Sequence, residues 1–551
     1  MEYLLDGWGI TLATFSPLVG VAIMLLIPRE REDQHRMVAL VTSLWVAFVG
    51  LLLLFWFDLD ATGRLQYVVD EMWIDVIRSR YMVGIDGMSL PLILLTMLIV
   101  PLCIIYSWDH FPEPRNPKAF LILILILETG MIGTFVAQDM VLFFVFFEIV
   151  LLPMFFMIAV WGGPNRRYAS LKFFLFTLFG SALMLVSFLA LFFLTGAESF
   201  VFAEIADNVL RHGVSRTAQL WIFGGMFLGF GIKVPMFPFH TWLPDAHTEA
   251  PTVGSVILAA VLLKLGTYGF IRVAIPILPE AAVEWAPWIG LLAVVGIIYG
   301  ALGCLAQTDM KRLIAFSSVA HMGFVMLAIA TLTDFGINAA IMGMVAHGLI
   351  TGMLFFLAGS IKERYHTLEI SRLGGLLVQA PRMGWIFGIC AMASLGLPGL
   401  AGFWGEFPAI LSAYSPANGL PVETFRTFMV IAALGTVLAA GYLLWLLQRV
   451  AFGSPPDEFA ENPDIVDVTR HEWLAWAPIL AFIVAIGIYP NLVFRVTDGA
   501  VDASLNECLR VDEQVLTADE VAAAVRAIVR VHRTLRENPA RAREGGDLRF
   551  P

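Results

Sequence analysis

Seven ionisable residues stand in stretches otherwise as apolar as lipid: Glu128, Glu148, Lys233, Lys264, His321, His347 and Glu406. The runs Phe-Phe-Val-Phe-Phe-Glu148-Ile-Val-Leu-Leu-Pro and Ala-Val-Leu-Leu-Lys264-Leu-Gly-Thr-Tyr show the contrast. An isolated charge at a bilayer centre costs roughly 3 kcal/mol. Such groups must therefore face one another, water or a partner chain. Kept from bulk solvent, acids, amines and imidazoles can hold and pass protons. Desolvation disfavours a buried ammonium and a nearby carboxylate favours it. Moving Glu148 relative to Lys233 would then decide whether the lysine keeps its proton, and the two are expected to pair. Histidine titrates near neutral pH and suits a relay, so Lys264, His321 and His347 extend the line to Glu406. Glu128 is assigned a structural role. His240 and His247 are expected to pack in a loop near the cytoplasmic surface.

Two interrupted helices must position these groups. Lys233 ends an apolar run and is followed by Pro235 and Pro238. Proline inside a helix removes a hydrogen bond and clashes with the preceding turn, so the helix breaks beside the lysine. Leu395-Gly-Leu-Pro-Gly-Leu-Ala-Gly402 loosens a second helix just before Glu406. The two regions correspond. Gly229-Phe-Gly-Ile-Lys-Val-Pro235 resembles Gly402-Phe-Trp-Gly-Glu-Phe-Pro408. Lys233 and Glu406 lie 173 residues apart, as do Glu148 and His321. Ala137-Gln-Asp-Met140 and Ala306-Gln-Thr-Asp-Met310 precede the helices bearing the latter two. Lys264 has no ionisable counterpart at that spacing. Five spans per copy bring the second copy in from the other side, an inverted-topology repeat.

The 551 residues are 59% hydrophobic and 14% charged, with mean hydropathy +0.81. Soluble domains carry about 25% charged residues, so a water-soluble enzyme is excluded. The net charge of −11 argues against a nucleic-acid partner. A spanning helix needs about 20 apolar residues. Fourteen such runs are expected, near 9–27, 37–57, 84–106, 118–137, 139–160, 170–195, 218–238, 252–276, 285–305, 310–331, 335–361, 384–413, 424–448 and 473–494. The fold expected is thus an all-α polytopic membrane protein. It divides into a three-helix segment (1–117), two five-helix repeats (118–276 and 285–452), a last span (453–494) and a polar tail (495–551). In the tail, Thr517-Ala-Asp-Glu520 is a capping-box signature opening an amphipathic helix at 518–536. Lysine and arginine gather in alternate loops, such as Arg29–Arg36, Arg166–Lys172 and Lys362–Arg372. The positive-inside rule makes that side cytoplasmic and puts both termini on the periplasmic side. The acidic N-terminus lacks signal-peptide features, so the first run is read as a retained span. The four cysteines are scattered, with no metal or disulfide spacing.

Lys233-x-Pro-x₄-His240-x-Trp-Leu-Pro-Asp-Ala-His247-x-Glu-Ala-Pro251 resembles the signature of the proton-conducting antiporter-like subunits. These occur in respiratory complex I of bacterial inner membranes, a proton-translocating NADH:quinone oxidoreductase, and in multisubunit sodium/proton antiporters. The resemblance covers roughly residues 80–450. Glu406 stands where sister subunits typically carry lysine, and the chain stops after fourteen spans without the distal subunit's long lateral helix; within the family both features resemble one antiporter-like subunit of complex I over its sisters. The resemblance implies that Glu148 and Lys233 form the ion pair of one half-channel. Lys264 connects them to the centre, His321 and His347 continue the axis, and Glu406 ends it. It implies no cofactor here, with NADH, FMN, iron–sulfur clusters and quinone in partner subunits. It implies other membrane-arm subunits, including two sister antiporter-like chains, and lipid as neighbours. A sodium/proton antiporter subunit is the rival of the same class. A membrane cytochrome with His321 and His347 as haem ligands is the rival of another class, and a structural spacer is a third.

Overall fold

Apolar runs become helices almost throughout the computed structural model, which describes residues 2–460 and 465–505. The expected tail helix at 518–536 lies outside the described residues. Helices α1 (Glu2–Leu26) and α2 (Glu32–Trp56) come first. An antiparallel ribbon follows, β1 (Gln66–Ile74) with β2 (Ser79–Ile85). It departs from the all-α expectation. Next come α3 (Leu90–Tyr106), α4 (Pro117–Val136), α5 (Met140–Ile149), α6 (Leu151–Trp161) and α7 (Arg166–Thr195). A short α8 (Phe202–His212) leads to α9 (Arg216–Lys233) and α10 (Trp242–Glu249). One span is then assembled from α11 (Thr252–Ile257), α12 (Leu263–Gly269) and α13 (Ile275–Ile277), joined by π-helical turns. The chain continues through α14 (Pro279–Leu305), α15 (Met310–Ala330), α16 (Asp334–Tyr365) and α17 (Leu376–Gln379). It then runs through α18 (Pro381–Ser394), α19 (Ala401–Ser412), α20 (Val422–Ala451) and α21 (Arg470–Ile488).

Among the described residues, eleven helices are long and apolar enough to cross a membrane. The expected spans 84–106, 218–238 and 384–413 fall outside that set. The first begins in β2 and holds a 17-residue helix. The other two are interrupted, at Val234 and at 395–400. Apolar side chains face outward on the perimeter: Leu51 on α2, Phe179 on α7 and Val437 on α20 are each about 60% exposed or more. That surface belongs against lipid. The centre is different. Nearly every residue of α16 is buried, polar ones included, and α15 and the α11–α13 span are almost as enclosed. Those three elements carry His347, His321 and Lys264.

The two similar strings found in the sequence do the same local work. Asp139 caps α5, accepting from the Val141 and Leu142 amides at 2.9 and 3.0 Å. Asp309 caps α15, accepting from Arg312 N at 2.8 Å. Aspartate is favoured there because its oxygen satisfies otherwise unpaired amides. Each capping segment also forms a single β-bridge to the segment two helices' length onward, Asp139 with Val201 and Asp309 with Glu369. Met140 N reaches Phe200 O, and Met310 N reaches Leu368 O, both at 2.9 Å.

At one end of the bundle α16 is tied to α21. Arg364 donates to both oxygens of Glu472 at 2.8 Å. Glu472 also closes a capping box with Thr469. His110 lies 3.2 Å from the same carboxylate. Removing one partner of a buried ion pair strands the other charge, at about 3–5 kcal/mol. Arg364→Met should therefore lower the melting temperature of the purified protein sharply. Arg364→Met combined with Glu472→Met should recover part of the loss, as read by differential scanning fluorimetry. A double variant less stable than either single one would refute this account.

Candidate proton-transfer site

Sequence places Lys233 at a helix end because Pro235 cannot donate and crowds the turn before it. In the structure Lys233 is the last residue of α9 and only 2% exposed. The break frees carbonyls, and the Trp242 indole captures that of Ile232 at 2.9 Å. The lysine ammonium lies 4.7 Å from the centre of the Phe147 ring, over its face. It has no hydrogen-bond partner among the described residues. Glu148 follows Phe147, at the end of α5. Pro153 denies the Ile149 carbonyl its usual donor, and α5 gives way to α6 at Val150. The expected direct Glu148–Lys233 ion pair is not formed. The phenyl ring takes the cation, a favourable contact in its own right. Glu148 Oε1 has no hydrogen-bond partner among the described residues.

Lys264 sits on the α-helical turn between two π-turns, at 258–262 and 270–274. A π-turn shifts the backbone hydrogen-bond register and leaves a carbonyl underused. Lys264 Nζ donates to Ala259 O at 2.5 Å. It also donates to His347 Nδ1 at 2.7 Å. Because Nδ1 accepts, the ring proton of neutral His347 is on Nε2. Gly266 lets α12 close on the Lys233 turn, since a Cβ there would lie 2.7 Å from Phe230 O and 3.1 Å from Lys233 Cβ.

The second interruption positions Glu406. Gly405 on α19 crosses Gly343 on α16 so closely that a Cβ on Gly405 would lie 2.6 Å from Gly343 Cα. Glu406 then reaches His321, whose Nδ1 donates to Oε1 at 2.5 Å. The other side of that imidazole faces Ser394 Oγ at 3.1 Å and Tyr442 Oη at 3.2 Å. The His321 and His347 ring centres are 6.0 Å apart. Both rings line a cavity of about 20 Å³, together with Thr351, Ser394 and Glu406. That volume admits one water. A cavity of that size has no space for a haem between these rings.

The structure therefore joins Lys264 to His347 and His321 to Glu406, and sets Lys233 beside the residue preceding Glu148. Glu128, on α4, is fully buried, and neither of its oxygens has a partner among the described residues. His240 and His247 are buried, at 3% and 0% exposure. His240 stacks on Phe237 and His247 on Phe355. Sequence reasoning missed Tyr442, Ser394 and Phe147. It weighed acids and bases alone, and a tyrosine hydroxyl inside the apolar 424–448 run was the available signal for the first.

Known proteins resemble this chain in sequence and fold. Residues 137–434 match the family model described as NADH:quinone oxidoreductase/Mrp antiporter, TM. Residues 18–134 match that of the NADH-ubiquinone oxidoreductase chain 4 amino terminus. NADH-quinone oxidoreductase subunit M of Rhodobacter capsulatus is 41% identical over 499 residues, which is 88% of this chain and 94% of the relative. NADH-ubiquinone oxidoreductase chain 4 of Chondrus crispus is 39% identical over 484 residues, covering 87% and 94%. A chain of respiratory complex I from Thermus thermophilus with bound NADH superposes with TM-score 0.79 at 29% identity, covering 91% of this chain and 99% of that one. A chain of the Mrp complex from a Dietzia species shares the fold, with TM-score 0.78 at 22% identity over 94% of this chain and 56% of that one. The chain is a multi-pass membrane protein belonging to the NADH:quinone oxidoreductase/Mrp antiporter family, on its subunit M and chain 4 branch.

Proposed function

We propose that this chain is the proton-translocating membrane-arm subunit of an NADH:quinone oxidoreductase, driven by quinone reduction in other subunits. One observation carries the reading: Lys264, His347, His321 and Glu406 form a buried file whose members touch or face a common cavity. Lys264 can pass a proton to His347 Nδ1 while His347 releases one from Nε2. Among the described residues His347 Nε2 and Glu406 Oε2 both lack partners, and both residues line the 20 Å³ cavity. Buried polar atoms of this kind are where an ordered water belongs, and it would link the two histidine-centred pairs. Glu148 and Lys233 supply the first half-channel, and Glu406 passes the proton onward. NADH, FMN, iron–sulfur clusters and quinone are assigned to partner subunits, and sister antiporter-like chains to its flanks.

The proposal includes fourteen spans and two inverted repeats, at 118–276 and 285–452, following the three-helix segment 1–117. The paired caps and bridges at Asp139 and Asp309 support it. Both termini are placed on the periplasmic side of a bacterial inner membrane, from the loop arginines and lysines.

The test is NADH-driven proton uptake by inverted membrane vesicles. Glu406→Lys should keep more pumping than Glu406→Ala, because a titratable group remains beside His321. Equal loss in both, or none in either, would remove Glu406 from the path. His347→Ala should give a partial defect, since water can bridge the space it leaves. Full pumping in that variant would make His347 a structural hydrogen-bonder.

A further inference from the structure

His347 and the His321–Glu406 pair share the wall of the 20 Å³ cavity with Ser394, the last residue of α18. A serine in a helix often turns its hydroxyl back to a carbonyl of the preceding turn. Ser317 and Ser318 on α15 do so, both to Ile314 O. The Ser394 hydroxyl instead reaches across the fold, to 3.1 Å from His321 Nε2. The interruption at 395–400 ends α18 at this residue. Gly402 then lets α19 close on the end of α18, since a side chain there would run into Ala393 O. Ser394 is buried, at 4% exposure, so bulk water does not compete for its hydroxyl. Tyr442 Oη lies 3.2 Å from the same ring nitrogen. Of the two, Ser394 is the one that lines the cavity. Its residue therefore borders both the space beside His347 and the ring of His321.

We propose that Ser394 is a further proton-transfer residue, through which a proton from the cavity reaches His321. This rests on the path proposed above and fixes one of its steps. His347 releases its Nε2 proton to the single water that the cavity admits. That water gives a proton to Ser394 Oγ as the proton Ser394 already holds moves to His321 Nε2. His321 gives its Nδ1 proton to Glu406 Oε1, 2.5 Å away. One proton leaves His347 and one arrives on Glu406, and Ser394 ends with the hydroxyl it began with. The ring keeps a proton on Nε2, where Tyr442 Oη can accept it. A hydroxyl suits this place because it donates and accepts at once. An imidazole suits the next because its two nitrogens can take and release protons in turn. A direct step from the water to Glu406 Oε2 would give His321 and its two hydroxyls no part in the transfer.

The test is NADH-driven proton uptake by inverted vesicles carrying the whole complex, with NADH oxidation by an artificial acceptor as the measure of assembly. Threonine and valine have nearly the same shape and differ by the hydroxyl. Ser394→Thr should pump close to the parent rate. Ser394→Val should fall by about tenfold or more, the rate equivalent of one buried hydrogen bond left unmade. Tyr442→Phe should be milder than Ser394→Val, because Ser394 still serves Nε2. Equal pumping in the threonine and valine variants, high or low, would overturn the proposal. Should the branched residues block assembly, Ser394→Ala decides: a clear loss supports the relay, and parent-level pumping overturns it. Lys264→Met separates this step from the path itself. Pumping lost there but kept in Ser394→Val would leave the path standing and send the proton from the water directly to Glu406. Parent-level pumping in Lys264→Met would remove the path, and this inference with it.

Discussion

Lys264→Met abolishes the proton pumping that passes through this chain, and Lys264→Arg abolishes it equally. Methionine keeps much of the bulk and removes the proton carrier. The proton would then have to cross that stretch without a partner. The cost of a bare charge at membrane depth, roughly 3 kcal/mol, is about a hundredfold in rate. Arginine keeps the charge but does not give up its proton in proteins. A residue needed only as a fixed positive charge would tolerate arginine; a residue that hands a proton to His347 would not. NADH-driven quenching of a pH-sensitive dye in inverted vesicles reads the pumping. NADH oxidation with an artificial acceptor shows that the complex has assembled. Pumping near the parent level in Lys264→Arg would mean that the 2.7 Å contact to His347 is structural.

The burial of Lys264 was legible in the sequence, and its contact with His347 was not. A lysine inside Ala-Val-Leu-Leu-Lys-Leu-Gly needs no structure to stand out. Its aim depends on two π-turns, each shifting register by one hydrogen bond; no proline stands in or just after the first, and Pro276 stands two residues after the second. The two broken helices were legible for the opposite reason, because Pro235, Pro238 and Pro398 act locally. The capping aspartates at 139 and 309 were visible as similar strings before their role was known. The Glu148–Lys233 pairing was inferred from opposite sign alone. Sign cannot tell a direct contact from mere proximity, and the group that Lys233 touches is the Phe147 ring. Tyr442 and Ser394 escaped because pairing across the fold joins residues far apart in the chain, 121 and 73 positions from His321. The ribbon of β1 and β2 was passed over because its residues lie between spans, where apolar periodicity was not weighed.

Lys233→Ala and Glu148→Ala each remove most proton pumping while the complex still assembles. Both residues sit at the end of a helical segment, Lys233 before Val234 and Glu148 before Val150. Helix ends can shift without breaking a continuous ladder of hydrogen bonds, so the distance between these charges is free to change. Lys233 has no hydrogen bond to hold it, only the face of Phe147. A small displacement that brings Glu148 closer favours the ammonium, and one that withdraws it favours the neutral amine. Two groups that act as one switch do not add: the double alanine variant should pump no worse than either single variant, within about 0.5 kcal/mol. Phe147→Leu should be milder than either, because the cation–ring contact is worth about 0.5–2 kcal/mol and the titrating groups remain. Near-normal proton uptake in both single alanine variants would take this pair out of the pathway. A double variant clearly worse than the singles would show two independent carriers in place of one coupled site.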